Sequence, residues 1–299
     1  MSAADARVLQ RPHDRLRRRR LVNRLLELLA WLAALLAVFF LGVVLWSVAR
    51  RGASALNLDF LLKSQQSFAP PNVEQGLANA FVGTFVIVGL AALMALPFGI
   101  LIAIYVNEYA PRAIRSVVNL TLDVLAGVPA IVIGIFVFGL IVIAHGQSGY
   151  AGAFALAVLM LPFVARATIE VLALVPDSLR EAALGVGAPR WRATLGIVLP
   201  QTIGGVLTGA TLAVARVAGE TAPLLFTSSL VATGTQWDPS QPLQTVPVAI
   251  FELSESAEPA DHARAWAAAL VLILFVMFTS LAARWLANRS RRKIARASR

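Results

Sequence analysis

Six long apolar runs constrain this chain more than any other feature. An α-helix needs about 20 apolar residues to cross the hydrocarbon core of a bilayer. Continuous apolar runs of such length predict helices rather than strands. We therefore predict an all-α fold, a polytopic membrane helical bundle with six transmembrane helices. The runs are Leu25–Val48, Leu77–Val106, Leu120–Ile143, Tyr150–Ala165 (its helix continuing past Arg166 to Leu174), Ala193–Ala215 and Ala265–Ala287.

The composition agrees with a membrane protein. The chain is 58% hydrophobic and only 14% charged, whereas soluble domains carry about 25% charged residues. The basic region Arg7–Arg24 is too long for a secretory signal, and no small-residue cleavage site ends the apolar run that follows. We therefore expect the first run to be retained. The chain contains no cysteine, which excludes disulfides and cysteine-ligated metals.

The positive charge lies mostly in the two tails. Basic ends beside apolar spans are what membrane topology requires, so the net charge of +10 does not indicate a nucleic-acid partner. With both termini inside, 21 of the 26 Lys and Arg residues are cytoplasmic. We predict residues 1–24 and 288–299 as basic cytoplasmic tails around one transmembrane domain, 25–287. The N-terminal tail is expected to be unstructured and held by anionic membrane lipid.

The polar segment 176–200, between the fourth and fifth runs, predicts a bent pair of helices on the cytoplasmic side. Ser178 and Glu181 have the spacing of a capping box, which would start a short helix. That helix would end at Gly185 or Gly187, where a left-handed residue is easily accommodated. Pro189 suits the first turn of a second helix. We call this segment the elbow.

The elbow also carries a recognisable motif. Glu181-Ala182-Ala183 is followed by three residues, Gly187, nine residues and Ile197–Pro200, and this pattern resembles the EAA loop of ABC-importer membrane subunits. The resemblance implies a type I importer permease whose loop docks into a separate ATP-hydrolysing subunit. Glu181, Ala182, Ala183 and Gly187 would then form the coupling contact. Local physics alone also fits a capped interfacial helix that only joins two spans.

The outward end of the fifth run holds a second informative pair, Arg216 and Glu220. Four residues apart, they share a helix face if the helix persists that far. Ionisable residues at membrane depth usually mark a substrate route, and a guanidinium binds phosphate or carboxylate through two parallel hydrogen bonds. The alternative is an ion pair that closes the helix end. Asp123 near the start of the third run suits a helix-start role, because an acid there complements the helix dipole.

Two stretches make the resemblance to ABC-importer permeases more specific. Ala215–Ser229 and Leu125–Phe136 are similar to the permease subunits of ABC phosphate importers. That resemblance implies a phosphate route in a bacterial cytoplasmic membrane, between this chain and a second homologous permease. Two ATP-binding subunits and an extracytoplasmic phosphate-binding protein would complete the assembly. By the same resemblance Arg216 meets the anion, Glu220 orients or gates it, and Thr221 belongs to the substrate pathway.

Packing inside the bundle can also be predicted. Glycines in the fifth run, such as Gly205 and Gly209, let helices approach closely, so this span is expected at the bundle centre. Ala222–Ala232 is too short to cross and is expected to be re-entrant or packed under the outer end of the bundle. Val246–Leu253 predicts a short surface helix.

The chain has no sequence signal for catalysis. Its two lysines, Lys63 and Lys293, do not follow a glycine-rich phosphate loop, and the three histidines are scattered. We therefore expect no catalytic residue, metal or cofactor, and no enzyme activity; a partner would hydrolyse ATP.

Three other functions stay open. One is an ABC permease for molybdate, sulfate or an amino acid, against which only Arg216–Ser229 argues. The second is a gradient-driven transporter or channel working alone, which should show inverted repeats and ionisable mid-span residues. The third is a membrane-anchored structural or sensory protein.

Overall fold

A computed structural model describes residues 13–65, 75–228 and 234–297. Every regular element in these ranges is helical, which confirms the all-α prediction. The chain divides into two compact units, residues 1–50 and 51–299. The first twelve residues of the predicted N-terminal tail, part of Ala222–Ala232 and the last two residues lie outside the described ranges.

The connections between the helices differ in length, from residues 128–129 to residues 228–245. In chain order they are α1 (His13–Gly52), α2 (Leu58–Leu62), α3 (Ala78–Ile104), α4 (Arg112–Gly127), α5 (Ala130–Val137), α6 (Gly149–Ala173), α7 (Asp177–Gly185), α8 (Arg190–Ala193), α9 (Leu199–Val217), α10 (Ala222–Thr227), α11 (Val246–Glu255) and α12 (Pro259–Ala297). Wider π-helical turns extend some of them: Tyr105–Tyr109 follows α3, Phe138–Val142 follows α5, and Thr194–Val198 joins α8 to α9. The three-residue helix Ile143–His145 completes the α5 segment, Ala130–His145.

The first unit consists largely of α1. This helix begins at His13, so the expectation of an unstructured tail up to residue 24 is wrong from that point on. Arginine and leucine are good helix formers, and neither proline nor glycine interrupts the sequence between His13 and Gly42. The apolar side chains of α1 from Leu21 to Trp46 are exposed, as a lipid-facing span requires.

Five of the six predicted spans are single helices with the required length and apolar character. They are Arg18–Gly52, Ala78–Tyr109, Gly149–Ala173, Arg190–Val217 and Pro259–Ala282. The fourth span continues through Arg166, as predicted. The fifth begins at Arg190, so the second arm of the elbow is the first part of that span and not a separate helix.

The third run, Leu120–Ile143, is not one straight helix. It is divided between α4 and the α5 segment, which are bent by 94° from each other. The break lies at Val128, which is extended (φ −67°, ψ 129°) because it precedes Pro129. The segment before this run is also helical, since α4 begins at Arg112. The bent pair counts as the sixth span only if its two helices together cross the membrane.

The core of the second unit lies around α6. The α3–α6 pair has the most extensive contact, and its buried side chains include Ile87, Leu156 and Met160. In the apolar segment of α6, 56% of the residues are buried, against 33% for the fifth span. The fourth span therefore occupies the centre of this chain, where we had expected the fifth. Gly205 and Gly209 nevertheless allow α9 to lie close against Val171 and Ala167 of α6.

The segment between the fifth and sixth spans packs inward. Helix α10 rests on α5, where a Cβ at Gly134 would come within 2.6 Å of Pro223 Cα. Helix α11 forms as predicted, but it is not a surface helix: Val246, Val248 and Leu253 are buried.

Candidate functional site

The first arm of the elbow is α7. It begins at Asp177, immediately after Pro176, which lies at the N-cap without a side-chain cap. Ser178 is therefore already inside the helix, and the predicted capping box with Glu181 does not form. The helix starts two residues earlier than the capping box predicts, because Pro176 has a φ suited to the N-terminal boundary, and Asp177 places a carboxylate near the positive end of the helix dipole.

The bend itself is made by Gly187, as predicted. Gly187 has φ +80°, in the left-handed region that favours glycine. The N–H of Ala188 donates to the Ala183 carbonyl oxygen at 3.1 Å, and that of Gly187 donates to Leu184 at 3.0 Å. These two bonds are those of a Schellman motif, which satisfies the last carbonyls of α7. Pro189 then caps α8.

The elbow presents a mixed surface to the outside of the chain. Glu181 and Ala182 are exposed, whereas Ala183 is buried beneath them at 5% exposure. Apolar side chains around the bend are also exposed, namely Leu184, Val186 and Trp191. A carboxylate beside exposed apolar side chains is the chemistry of a protein–protein contact.

The predicted substrate residues lie at the other end of the same helical run. Arg190–Val217 is continuous through the π-helical turn, and Arg216 is in its last turn. The guanidinium carbon of Arg216 lies 4.3 Å from the centre of the Phe163 ring on α6. A ring face under a guanidinium stabilises and orients the cation. Phe163 was not predicted as part of the site, because this packing between α9 and α6 has no sequence signal.

Glu220 does not pair with Arg216. Helix α9 ends at Val217, and Glu220 follows in a turn with its N–H donated to the Val217 carbonyl, so the i,i+4 geometry is lost. Within the described residues Arg216 has no ion pair, and the alternative of a pair that closes the helix end is therefore not observed. Glu220 and Thr221 are half-buried nearby in sequence, and Thr221 accepts the N–H groups of Leu224 and Leu225 at the start of α10.

Asp123 has a structural role, but not the predicted one. It lies in the second half of α4 rather than at a helix start, and its carboxylate pairs with Arg166 of α6. Arg166 also donates to the Asn119 carbonyl oxygen at 2.8 Å. The pair joins the broken third run to the central helix.

Arg180 was not predicted, yet it is the most completely bonded side chain at the elbow. Its Nε and Nη2 donate to the Glu108 carboxylate at 3.0–3.2 Å. Nη1 donates to the Val175 carbonyl oxygen at 2.6 Å and to Asp177 Oδ1 at 2.9 Å. Nη2 also donates to the Leu172 carbonyl oxygen at 3.0 Å. All five guanidinium N–H groups are thereby used.

Among the described residues, no group of three or more His, Asp or Glu side chains could hold a metal ion. In the described part of the chain, the predicted site residues therefore lie at the two ends of one helical run: a guanidinium without an ion pair at one end, and an exposed carboxylate beside apolar side chains at the other.

An all-helical bundle with an elbow of this form defines a class of membrane transport proteins. Residues 95–292 match the family of binding-protein-dependent transport system inner membrane components, and the chain belongs to that family. It is therefore a multi-pass membrane protein and a transport component.

Curated relatives are more specific. The chain is 39% identical over 258 residues to the phosphate transport system permease protein PstA of Haemophilus influenzae, covering 85% of this chain and 90% of the relative. It is 38% identical over 285 residues to the phosphate transport system permease protein PstA 1 of Mycobacterium tuberculosis, covering 92% and 91%.

Solved structures support the fold. A bacterial alginate ABC transporter aligns with a TM-score of 0.59 at 17% identity, over 95% of this chain and 98% of that one. The MetNI methionine ABC transporter in an inward-facing conformation aligns with a TM-score of 0.56 at 17% identity, over 71% and 93%.

Proposed function

We propose that this chain is the permease subunit of an ABC importer and forms the translocation path for inorganic phosphate. One observation carries the proposal: the free guanidinium of Arg216 ends the same helical run that begins in the elbow. The names of the curated relatives support phosphate as the anion. A solitary cation that is held over an aromatic ring can bind an oxyanion through two parallel hydrogen bonds.

The substrate pathway consists of Arg216, Glu220 and Thr221. Arg216 contacts the phosphate, and Phe163 holds its guanidinium in place. Glu220, freed from Arg216 by the end of α9, orients the arriving anion or gates it through charge repulsion, and the Thr221 hydroxyl offers a further hydrogen bond. Molybdate and sulfate share the tetrahedral oxyanion chemistry and remain competing substrates.

The partners follow from the two ends of the chain. Two ATP-binding subunits dock on the elbows of the two permease subunits, in this chain through Glu181, Ala182, Ala183 and Gly187. They hydrolyse ATP, which this subunit does not. A second homologous permease completes the path opposite Arg216, because an anion route needs walls on all sides. An extracytoplasmic phosphate-binding protein delivers phosphate to the Arg216 end, and membrane lipid surrounds the spans.

The charge distribution supports an orientation in the bacterial inner membrane with both termini and the elbow in the cytoplasm. In this orientation the mechanism is alternating access. Closure of the ATP-bound partners moves the elbow, and the bundle opens outward to admit phosphate at Arg216. Differential contact of the partners with the two states drives the shift. Return of the bundle releases the anion inward.

The direct test is phosphate uptake by cells that carry Arg216→Ala. Uptake is expected to fall by at least about tenfold, because hydrogen bonds to a charged group contribute roughly 1.5–3 kcal/mol. Arg51→Ala is a matched control: Arg51 also stacks on an aromatic ring, 4.9 Å from the Trp266 centre, but it is not one of the residues proposed to contact the anion. Normal uptake by Arg216→Ala, with the complex assembled, would exclude the anion contact. Uptake of sulfate or molybdate in preference to phosphate would change the substrate.

A further inference from the structure

A partly buried ion pair connects the elbow to the second span. Glu108 lies in the π-helical turn Tyr105–Tyr109, at the end of α3, and Arg180 lies in α7. The two side chains are only 9% and 18% exposed. Their contact joins positions 72 residues apart in the sequence.

The Glu108 end of this contact is itself held firmly. Asn107 Nδ2 donates to Glu108 Oε1 at 2.7 Å. From α4, Arg115 donates to the Val106 carbonyl oxygen through Nε and to the Asn107 carbonyl oxygen through Nη2, both at 3.0 Å. The turn at the end of α3 is therefore fixed on two sides, so that a displacement of Arg180 cannot be absorbed there by a loose loop.

The Arg180 end is equally rigid. The guanidinium also holds the carbonyl oxygens of Leu172 and Val175, where α6 ends and the chain enters α7. A buried ion pair is weak evidence for stability, because desolvation of both charges offsets much of their attraction. Its bidentate geometry instead fixes position, since a planar guanidinium and a carboxylate meet in one orientation.

A second contact between the same two regions is much weaker. The Tyr109 hydroxyl and Thr194 Oγ1 are 3.5 Å apart, at the limit of a hydrogen bond. Beside the ion pair a cavity of about 170 Å³ separates Glu108 and Arg180 from Arg190 and Thr194. Among the described residues, the ion pair is thus the stronger of these two polar contacts between the elbow and the end of α3.

We propose that Glu108 and Arg180 are positioning residues that transmit displacement of the elbow to the second span. This inference rests on the proposed function, because it assigns the step between the docked ATP-binding subunit and the moving bundle. Since α3 packs on α6 along most of its length, a displaced α3 carries the centre of the bundle with it. Without the pair, ATP hydrolysis continues but moves the bundle less effectively.

The test measures phosphate transported per ATP hydrolysed by the complete complex in lipid vesicles. Glu108→Gln and Arg180→Lys are each expected to retain the ATP-binding subunit and to lower this ratio at least about fivefold, the lower end of usual coupling between sites. Lysine keeps the charge but cannot reproduce the planar fork of five donors. Asp177→Asn is the matched control, because Asp177 is an 89% exposed partner of Arg180 and its loss leaves the Glu108 contact intact.

A covalent replacement separates transmission from general stability. The chain has no cysteine, so Glu108→Cys combined with Arg180→Cys gives this subunit its only two thiols. A short, reducible cross-link between them is expected to restore the ratio of the double variant, and reduction to lower it again. If the single variants do not assemble because one charge of the pair is left without its partner, the ratio is measured with the cross-linked double variant instead.

Two results would overturn the inference. One is a wild-type ratio in both Glu108→Gln and Arg180→Lys; the other is a lowered ratio in the double variant that the cross-link does not restore. Failure of the wild-type complex to transport phosphate with ATP would instead contradict the proposed function.

Discussion

At the scale of single residues, the carboxylate of Glu252 introduces a dependence of stability on pH. Glu252 lies on α11, outside the membrane spans, and its Oε2 accepts a hydrogen bond from Gln244 Nε2 at 2.5 Å. Burial raises the pKa of Glu252 above its ordinary value, and the nearby charge of Asp261 adds to this, while the Gln244 bond and Arg264 act in the opposite direction. The folded state therefore binds this proton more tightly than the unfolded state does.

The sign of the effect follows from that difference. Stability contributed by protonated Glu252 is fully present below the ordinary glutamate pKa and is lost as the pH rises through the raised value. Glu252→Gln keeps an acceptor oxygen and removes the charge. The melting temperature of the variant, relative to wild type, is expected to increase from acidic to neutral pH. Glu255→Gln, an exposed carboxylate on the same helix, is the control; a parallel pH profile for Glu252→Gln and wild type would contradict the assignment.

Single residues were predictable only where their chemistry is local. Gly187 could be assigned to the bend because the left-handed turn needs a glycine and helical segments flank it. The partners of Arg180 and Arg216, which are Glu108 and Phe163 respectively, could not be predicted, because only tertiary packing brings them together. A shared helix face for Arg216 and Glu220 was predicted on the condition that the helix continued, and α9 ends three residues before Glu220.

At the scale of helices, the contact of α9 with α6 depends on glycine. A Cβ at Gly209 would lie 2.6 Å from Ala167 Cβ, which cannot move without displacing α6. Gly209→Ala is therefore expected to lower the free energy of unfolding by about 1–3 kcal/mol, the usual cost of overpacking. Thermal unfolding of the full chain in detergent measures the change.

Gly89 on α3 provides the matched control for Gly209. Apart from its chain neighbours and its own helix backbone, no atom of the described residues lies within 4 Å of the position that its Cβ would occupy. Gly89→Ala gains helix propensity, by about 0.5–1 kcal/mol, without a clash. An equal effect of the two substitutions would show that propensity, and not the approach of α9 to α6, decides stability here.

Helices were predictable from apolar length, and their interruptions were not. Runs of apolar residues identified five spans because burial in lipid requires a continuous apolar surface. The prediction of a single helix for the third run was wrong, because Val128-Pro129 breaks the helix although the hydropathy of the segment shows no break. The burial of α11 was not predicted either, because it depends on tertiary hydrogen bonds from side chains of α3. Thr84 Oγ1 accepts the Val246 N–H at 2.8 Å, and Asn79 Nδ2 donates to Gln244 just before α11.

At the scale of the whole molecule, the exposed elbow predicts a dependence on partners. Glu181→Lys reverses an exposed charge without disturbing the buried Ala183 or the bend at Gly187. Like charges at an interface cost several kcal/mol. Recovery of the ATP-binding subunit with the purified chain is therefore expected to fall by at least about tenfold, while the amount inserted in the membrane stays unchanged.

Glu258→Lys reverses an exposed carboxylate at the opposite end of the bundle and is expected to leave recovery of the ATP-binding subunit unchanged. Equal recovery with Glu181→Lys and wild type would remove Glu181 from the docking contact. Absence of any ATP-binding subunit from wild-type preparations would contradict the importer itself. These outcomes concern assembly with other subunits, for which the exposed surface of the chain, and not its internal packing, provides the prediction.

The π-helical turn Thr194–Val198 has a geometric consequence for the entire fifth span. Its Leu199 N–H donates to the Thr194 carbonyl five residues earlier, so the turn holds one residue more than an α-helical turn. One residue corresponds to a rotation of roughly 100° about the helix axis. This single additional residue thus sets the direction in which Arg216 points around the helix axis, relative to Trp191 on the other side of the turn. A helix without it would direct the guanidinium away from the Phe163 ring.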